Sequence, residues 1–179
     1  MLEQRIQQQF FESADLKYQS AETLARPVAD AAQALLGAIT GGGKVLVFAA
    51  GAASALAPHL VQLLVGRFER ERPPLAAVAL GPQAAQQVRA LGLPGDVLLM
   101  VENGEGESAP VIAAARGKDM TLVVLAGRGA GELRELMAES DVLVAVPHER
   151  GARVAEVQML VLHCLCDAVD YQLMGDLEP

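Results

Sequence analysis

The alternation of short apolar runs with helical patterns constrains the fold of this chain more than any other feature. From Gly43 onward the runs are continuous and rich in β-branched residues, as expected of strands that are buried on both faces. The predicted strands are Lys44–Phe48, Leu75–Leu80, Asp96–Val101, Thr121–Ala126 and Val142–Val146. The predicted helices between them are Ser54–Arg70, Gln83–Leu91, Ser108–Arg116 and Glu132–Ala138. Strands and helices that alternate over short links predict a parallel sheet covered on both faces.

Two helical segments, Leu2–Ser20 and Glu22–Thr40, precede this core, and three glycines at 41–43 mark their end. The sequence therefore predicts an α/β protein: a three-layer α/β/α sandwich with a five-stranded parallel sheet, preceded by two N-terminal helices. We expect one domain over residues 1–179, with a helical region at 1–42 and an α/β core at 43–179.

Apolar surfaces on the first and last helices indicate an oligomer. Leu2, Ile6, Phe10 and Ala14 form a stripe at i, i+4 spacing on the first helix. Because crossover helices already cover both faces of the predicted sheet, we expect this stripe to lie between copies of the chain, although it could also lie on the chain's own sheet. The last helix, from Gly151 to about Met174, is apolar around its circumference and is predicted to be buried on all sides.

Charge and hydropathy exclude several classes of function. The 179 residues include 14 basic and 22 acidic side chains, a formal charge of −8 that disfavours binding along a nucleic-acid backbone. No apolar stretch reaches the roughly 18 residues that a membrane span needs. The first residues are polar, unlike those of a signal peptide. We therefore expect a cytoplasmic protein that contacts neither membrane nor nucleic acid directly.

Cysteine and histidine spacing does not indicate a metal site. Cys164 and Cys166 lie two apart on a predicted helix, so they point to different sides, and we expect both to be reduced and buried. The histidines are His59, His148 and His163, without further ligands at zinc spacing. We expect no metal and no cofactor.

Two loops at the carboxyl ends of strands are candidate ligand sites, because ligands bind there in open α/β sheets. Residues 49–54 follow the first strand and residues 102–108 follow the third, and each loop ends in a serine, Ser54 or Ser108. These serines could instead be helix N-caps without a ligand, worth about 1 kcal/mol each. The acidic second loop, Glu102, Asn103, Glu105 and Glu107, could hold a divalent cation or simply be solvated.

The order of motifs along the chain identifies a family. These motifs are Gly42–Leu46, Gly66–Pro73, Gln87–Gly92, Pro94–Leu99, and Val146 with Pro147 before the last helix. Over nearly its whole length the chain resembles the sugar isomerase (SIS) domain family, which implies a flavodoxin-like sheet. Within it, the chain is most similar to the phosphoheptose isomerases and the DnaA initiator-associating (DiaA) proteins, both of which share residues 68–73 and 164–170.

Both ligand loops differ from the family pattern. Family loops read Gly-Asn-Gly-Gly-Ser and Ser-Thr-Ser-Gly-Asn-Ser and hold a sugar phosphate at helix N-termini. Here residues 49–53 lack the Asn and the hydroxyl, and residues 102–108 add three carboxylates. At an effective dielectric of about 20, like charges about 4 Å apart repel by roughly 4 kcal/mol, against about 1 kcal/mol from a helix N-terminus. The resemblance therefore implies a degenerate phosphosugar pocket at Gly51, Ser54 and Ser108.

The proton-transfer residues are also incomplete. The resemblance assigns them to a Glu on the first crossover helix, which falls on Leu63, and to a His on the last helix, which matches His163. His59, a metal ligand in some relatives, lacks that Glu and a further Gln, which falls on Ala155. The segment that walls the sugar pocket is shortened to residues 81–85. We expect no catalytic residue, with His163 held by a neighbouring backbone group or carboxylate.

The leading hypothesis from the sequence is a non-catalytic homotetrameric scaffold that binds the initiator DnaA and promotes its assembly at the replication origin by multivalency. Leu173 matches the Leu of the family's DnaA-contacting pair, and Met174 replaces the Phe. One alternative is a phosphoheptose isomerase acting on sedoheptulose 7-phosphate through His163. Another is a sugar-phosphate-binding or structural subunit that assembles with an intact paralogue.

Overall fold

The computed structural model of the chain describes residues 1–104, 108–127 and 130–176. Its helices are α1 (Leu2–Thr40), α2 (Leu56–Val65), α3 (Ala84–Leu91), α4 (Ser108–Arg116), α5 (Gly131–Glu135) and α6 (Gly151–Met174). Its strands are β1 (Val45–Ala49), β2 (Ala77–Ala79), β3 (Val97–Glu102), β4 (Thr121–Ala126) and β5 (Val142–Ala145). The predicted α/β architecture is confirmed, and the bounds of β4, α4 and α6 agree with those predicted.

The five strands form one parallel sheet in the order β2-β1-β3-β4-β5. The strand order reverses between β1 and β3, so their carboxyl ends form the switch point at which ligands bind in such sheets. The edge strand β2 is shorter than predicted because it pairs only with β1, and Val78 on it is exposed. Every residue of the central strand β3 is buried.

Alternate strand residues face two separate cores. Val45, Val47 and Leu99 pack with α1, α2 and α6 on one face, whereas Leu46 and Leu98 pack with α3 and α4 on the other. Helices thus cover both faces of the sheet, as the continuous apolar strands predict.

The N-terminal region is one helix rather than two. α1 runs for 39 residues through the predicted junction at Ala21, because alanine and Glu22 are good helix formers and no glycine interrupts the chain there. Its second half is buried against the sheet through residues such as Leu24 and Leu35. The expectation that crossover helices alone cover this face is therefore wrong. The predicted stripe at the start of α1 is exposed.

α6 is not buried on all sides in the single chain. Leu162, Leu165 and Cys166 are fully buried, whereas Leu160 is 41% exposed and Cys164 is exposed. Both cysteines are free. Burial, with a smaller contribution from the nearby Asp170 carboxylate, raises the pKa of the Cys166 thiol to about 12. The expectation that both cysteines are buried is thus correct for Cys166 only.

Within the described ranges, no helix is both long enough and apolar enough to cross a lipid bilayer.

Candidate functional site

A cleft of about 790 Å³ opens at the carboxyl edge of the sheet beside β1. Ala49 and Ala50 line it from the end of β1, and residues 80–86 line it from the end of β2 and the start of α3. The shortened segment at 81–85 therefore still forms one wall of a pocket. Among the described residues that line the cleft, the polar side chains are Ser54, Gln83 and Gln86, all uncharged.

Ser54 lines this cleft and does not cap α2. It follows a single turn of 3-10 helix, Gly51–Ala53, and has helical backbone angles. The N-cap position belongs to Ala55, which makes no side-chain cap bond. Gly51 has φ of 57°, a conformation that glycine adopts without strain. Ser54 therefore remains a candidate ligand-binding residue, as the sequence predicts.

A buried carboxylate lies at the start of α4. Glu102 is the last residue of β3 and only 3% exposed. Its carboxylate accepts hydrogen bonds from the Ser108 hydroxyl and from the Gly104 N–H at 2.7 Å. The Ser108 hydroxyl is therefore already engaged in a hydrogen bond within the protein. The protein's own negative charge lies where the positive end of the α4 dipole would attract an anion.

The cation site considered for the acidic loop is not supported by the described residues. Glu105 and Glu107 lie outside them, so their role stays a prediction. Asn103 makes a reciprocal amide pair with the fully buried Gln158, at 3.0 and 2.9 Å, which fixes the end of β3 to α6. Gln158 could not be predicted from the sequence, because its partner is 55 residues away and no local spacing indicates the contact.

Two histidines from different helices meet between α2 and α6. The Nε2 atoms of His59 and His163 are 3.1 Å apart, and the two rings are tilted by 60°. Phe68 packs on His163 with ring centroids 5.5 Å apart. A hydrogen bond between two Nε2 atoms requires one protonated and one unprotonated nitrogen. The Nε2 atom of His163 therefore contacts a second histidine, a partner that the sequence analysis did not predict.

A metal ion held as in some relatives does not fit the residues present. A catalytic zinc site uses three protein ligands and a structural one uses four. His59 and His163 supply two nitrogens, whereas Leu63 and Ala155 supply none. In the described part of the chain, no group of three or more His, Cys, Asp or Glu side chains is placed to hold a metal. We therefore derive no chemical step through a metal.

Leu173 and Met174 lie in the last turn of α6, with 38% and 39% of their surfaces exposed. Both side chains are accessible to another protein. Their predicted role as partner-binding residues stays a prediction.

Comparison with known proteins agrees with this architecture. The SIS domain model matches residues 9–127. A phosphoheptose isomerase of Methylibium petroleiphilum is 53% identical, covering 98% of this chain and 97% of its own length. The solved phosphoheptose isomerases of Neisseria gonorrhoeae and Francisella tularensis superpose with TM-scores of 0.87 and 0.89 at 31% and 30% identity. These alignments cover 95% of this chain, and 99% and 98% of the two solved chains.

The fold and its switch-point cleft therefore define a sugar isomerase domain, and the chain belongs to the SIS domain family. Its relatives correct the functional hypothesis drawn from the sequence. The DnaA-binding scaffold is contradicted, because relatives that align over nearly the whole chain are phosphoheptose isomerases, including one of Aromatoleum aromaticum at 42% identity.

Proposed function

We propose that this chain is a sugar isomerase of the phosphoheptose isomerase type, in which the His59–His163 pair carries proton transfer. The observation that carries the proposal is the 3.1 Å contact between their Nε2 atoms. The names of the relatives support the substrate class, a seven-carbon sugar phosphate such as sedoheptulose 7-phosphate.

The pair has the two functions that aldose–ketose isomerisation needs. One group must remove a proton from the carbon next to the carbonyl, and one must donate a proton to the carbonyl oxygen. In the neutral pair, one Nε2 is unprotonated and the other carries a proton. When the substrate binds, each Nε2 exchanges the bond between the two rings for a bond to the sugar, and the unprotonated Nε2 is then the base and the protonated Nε2 the acid. Both groups return to their starting states when the enediol collapses to the isomeric sugar. Histidine suits both roles near neutral pH.

We place the phosphate of the substrate near Ser54 rather than at α4. The Glu102 carboxylate already bonds the Ser108 hydroxyl and would repel an anion there. Ser54 lines the cleft and precedes α2, and His59 lies in the first turn of that helix. We therefore propose that the substrate extends from Ser54 toward His59. The cytoplasm remains the expected location.

An isomerase assay tests the proposal. Conversion of sedoheptulose 7-phosphate is followed by NMR for the wild type and for His163→Ala and His59→Ala. We expect the kcat of each variant to be at least about 100-fold lower than that of the wild type, the usual contribution of general acid–base catalysis. His148→Ala is the matched control, because this histidine accepts the Arg150 N–H at 3.0 Å in the loop before α6. Absence of turnover by the wild type, or full turnover by His163→Ala, would overturn the proposal. A thermal shift without turnover would indicate a sugar-phosphate-binding protein instead.

We also propose that the chain assembles as a homotetramer through the first turns of α1. Leu2, Ile6, Phe10 and Phe11 are between 50% and 72% exposed there. Such a contiguous apolar surface is typical of an interface between protein chains. The exposed first turns and the buried second half of α1 belong to one continuous helix. This continuity supports a second copy of the chain as the partner that covers the exposed turns.

Light scattering tests the assembly. We expect the wild type to have a molar mass about four times the 18.8 kDa of one chain, and Phe10→Lys to have a markedly lower molar mass. Gln8→Lys is the matched control, because it introduces the same charge on the face of α1 away from the stripe. A monomeric wild type, or equal masses for the two variants, would contradict this interface.

A further inference from the structure

We propose that the buried ion pair between Arg72 and Asp170 positions His59 and His163 for proton transfer. Arg72 and Asp170 are positioning residues that act through the α2–α6 contact and touch no substrate. The inference rests on the proposed function for its catalytic consequence, but its structural part can be tested separately.

Arg72 joins the end of α2 to α6. Its Nε donates to Oδ1 of Asp170 at 2.5 Å, and both side chains are almost fully buried. Its Nη1 and Nη2 donate to the backbone carbonyls of Leu64 and Leu63, each at 2.7 Å. These carbonyls are among those that a helix C-terminus leaves without intrahelical partners. One guanidinium therefore caps α2 and ties it to α6.

The ion pair and the histidine pair lie along the same contact between the two helices. Leu63 follows His59 by four residues, one turn of α2. Asp170 follows His163 by seven residues, two turns of α6. Residues at these spacings share one face of a helix. The ion pair therefore holds α2 and α6 together one to two helical turns away from the contact between the histidines.

The loop that carries Arg72 adds a second support. Phe68, four residues earlier in the same loop, packs on the ring of His163. The loop thus contacts His163 directly and α6 through Asp170. If the loss of either contact let α6 move about 1 Å away from α2, the distance between the two Nε2 atoms would grow from 3.1 Å to beyond hydrogen-bonding range.

Arginine is required for this arrangement on physical grounds. Its planar fork donates to three acceptors on two helices at once, whereas lysine carries its donors on a single nitrogen. A buried ion pair adds little stability compared with apolar side chains of the same size, because desolvation offsets the attraction. The other carboxylate oxygen of Asp170 is buried without a hydrogen-bond partner among the described residues. Positioning explains the pair better than stability does.

Arg72→Lys tests the inference with two independent measurements. A crystal structure of the variant reports the structural part. In the wild type we expect the Nε2 atoms of His59 and His163 to lie within hydrogen-bonding distance, and in Arg72→Lys to lie about 1 Å further apart. The isomerase assay reports the catalytic part. We expect kcat to fall about 100-fold, the loss that a misplacement of about 1 Å can cause, whereas KM changes far less.

Arg116→Lys is the matched control. Arg116 pairs with the buried Asp141 side chain on the opposite face of the sheet. Replacing Arg116 therefore weakens a similar ion pair that lies far from the histidines. We expect this variant to keep the contact between the two histidine Nε2 atoms and the wild-type kcat. If Arg72→Lys does not fold, the double variant Arg72→Met with Asp170→Leu replaces the pair by apolar groups and is measured instead.

Each outcome decides a separate question. An unchanged Nε2–Nε2 distance in the Arg72 variant, or equal effects of Arg72→Lys and Arg116→Lys, would overturn the positioning role. Separated histidines in the Arg72 variant of a chain without isomerase activity would retain the positioning role and reject the proposed function.

Discussion

Replacing Leu63 with glutamate is expected to raise the isomerase kcat of this chain about 100-fold, toward the full contribution of a general base. Leu63 occupies the position at which the family resemblance places the catalytic Glu. It is half-buried on α2, one turn from His59, in the region where α2 meets α6. A carboxylate at position 63 would supply the general base whose role we propose for the histidine pair. The rate is measured with sedoheptulose 7-phosphate under saturating conditions.

Leu63→Gln is the matched control for this gain, because it has the same size and polarity but cannot accept a proton at neutral pH. Both variants lose part of the apolar contact that Leu63 makes with the core, so stability is followed in parallel. The assay is run with and without a chelator, since His59, His163 and the new carboxylate would together supply three metal ligands. Equal rates for the Glu and Gln variants would show that a carboxylate at this position does not contribute to catalysis.

Asp96→Ala is expected to lower the free energy of unfolding by about 3–5 kcal/mol, because it leaves several donors without a partner. Asp96 is 1% exposed at the amino end of β3. Its carboxylate accepts the Lys44 and Leu93 backbone N–H groups at 2.9 Å each and the Lys44 Nζ at 2.6 Å. These bonds tie the starts of β1 and β3 together. Denaturant unfolding measures the loss, and we expect Tm to fall by roughly 10 °C.

Asp30→Ala separates this effect from the loss of any ion pair. Asp30 pairs with Arg26 on the surface of α1, where the side chains are 51% and 86% exposed. An exposed pair contributes at most about 1 kcal/mol. Similar destabilisation by the two variants would contradict a special role for the buried carboxylate. The proposed isomerase site lies at the opposite edge of the sheet, so we expect the folded fraction of Asp96→Ala to keep any isomerase activity of the wild type.

The corrected functional hypothesis shows how far departures from a family motif can be interpreted. The missing Glu at Leu63 and the acidic second loop favoured a scaffold without activity. We expected His163 to be held by a backbone group or a carboxylate, whereas in the structure its Nε2 atom lies 3.1 Å from that of His59. The shortened segment at 81–85 likewise leaves a cleft of about 790 Å³. A motif can therefore lose residues while the fold still brings acid–base groups to the same edge of the sheet.

The sequence by itself determined the layered α/β fold. Hydrophobic periodicity is a local property, so β4, α4 and α6 could be bounded correctly from their own residues. The same reasoning divided α1 in two, because local preference alone does not show that the later part of the helix packs on the sheet. The loops after β1 and β3 were correctly placed at the carboxyl edge of the sheet, since that placement follows from the alternation of strands and helices.

Only the tertiary structure decided which side chains meet. His59 and His163 are separated by 104 residues, and Arg72 and Asp170 by 98. Pairing over such distances depends on how two helices pack on one sheet face, which leaves no periodic signal in the sequence. Glu102 and Ser108 are close in sequence, yet their bond was also missed, because it depends on the last strand residue turning its carboxylate toward the start of α4. Local chemistry set the elements of this protein, and helix packing set the site between them.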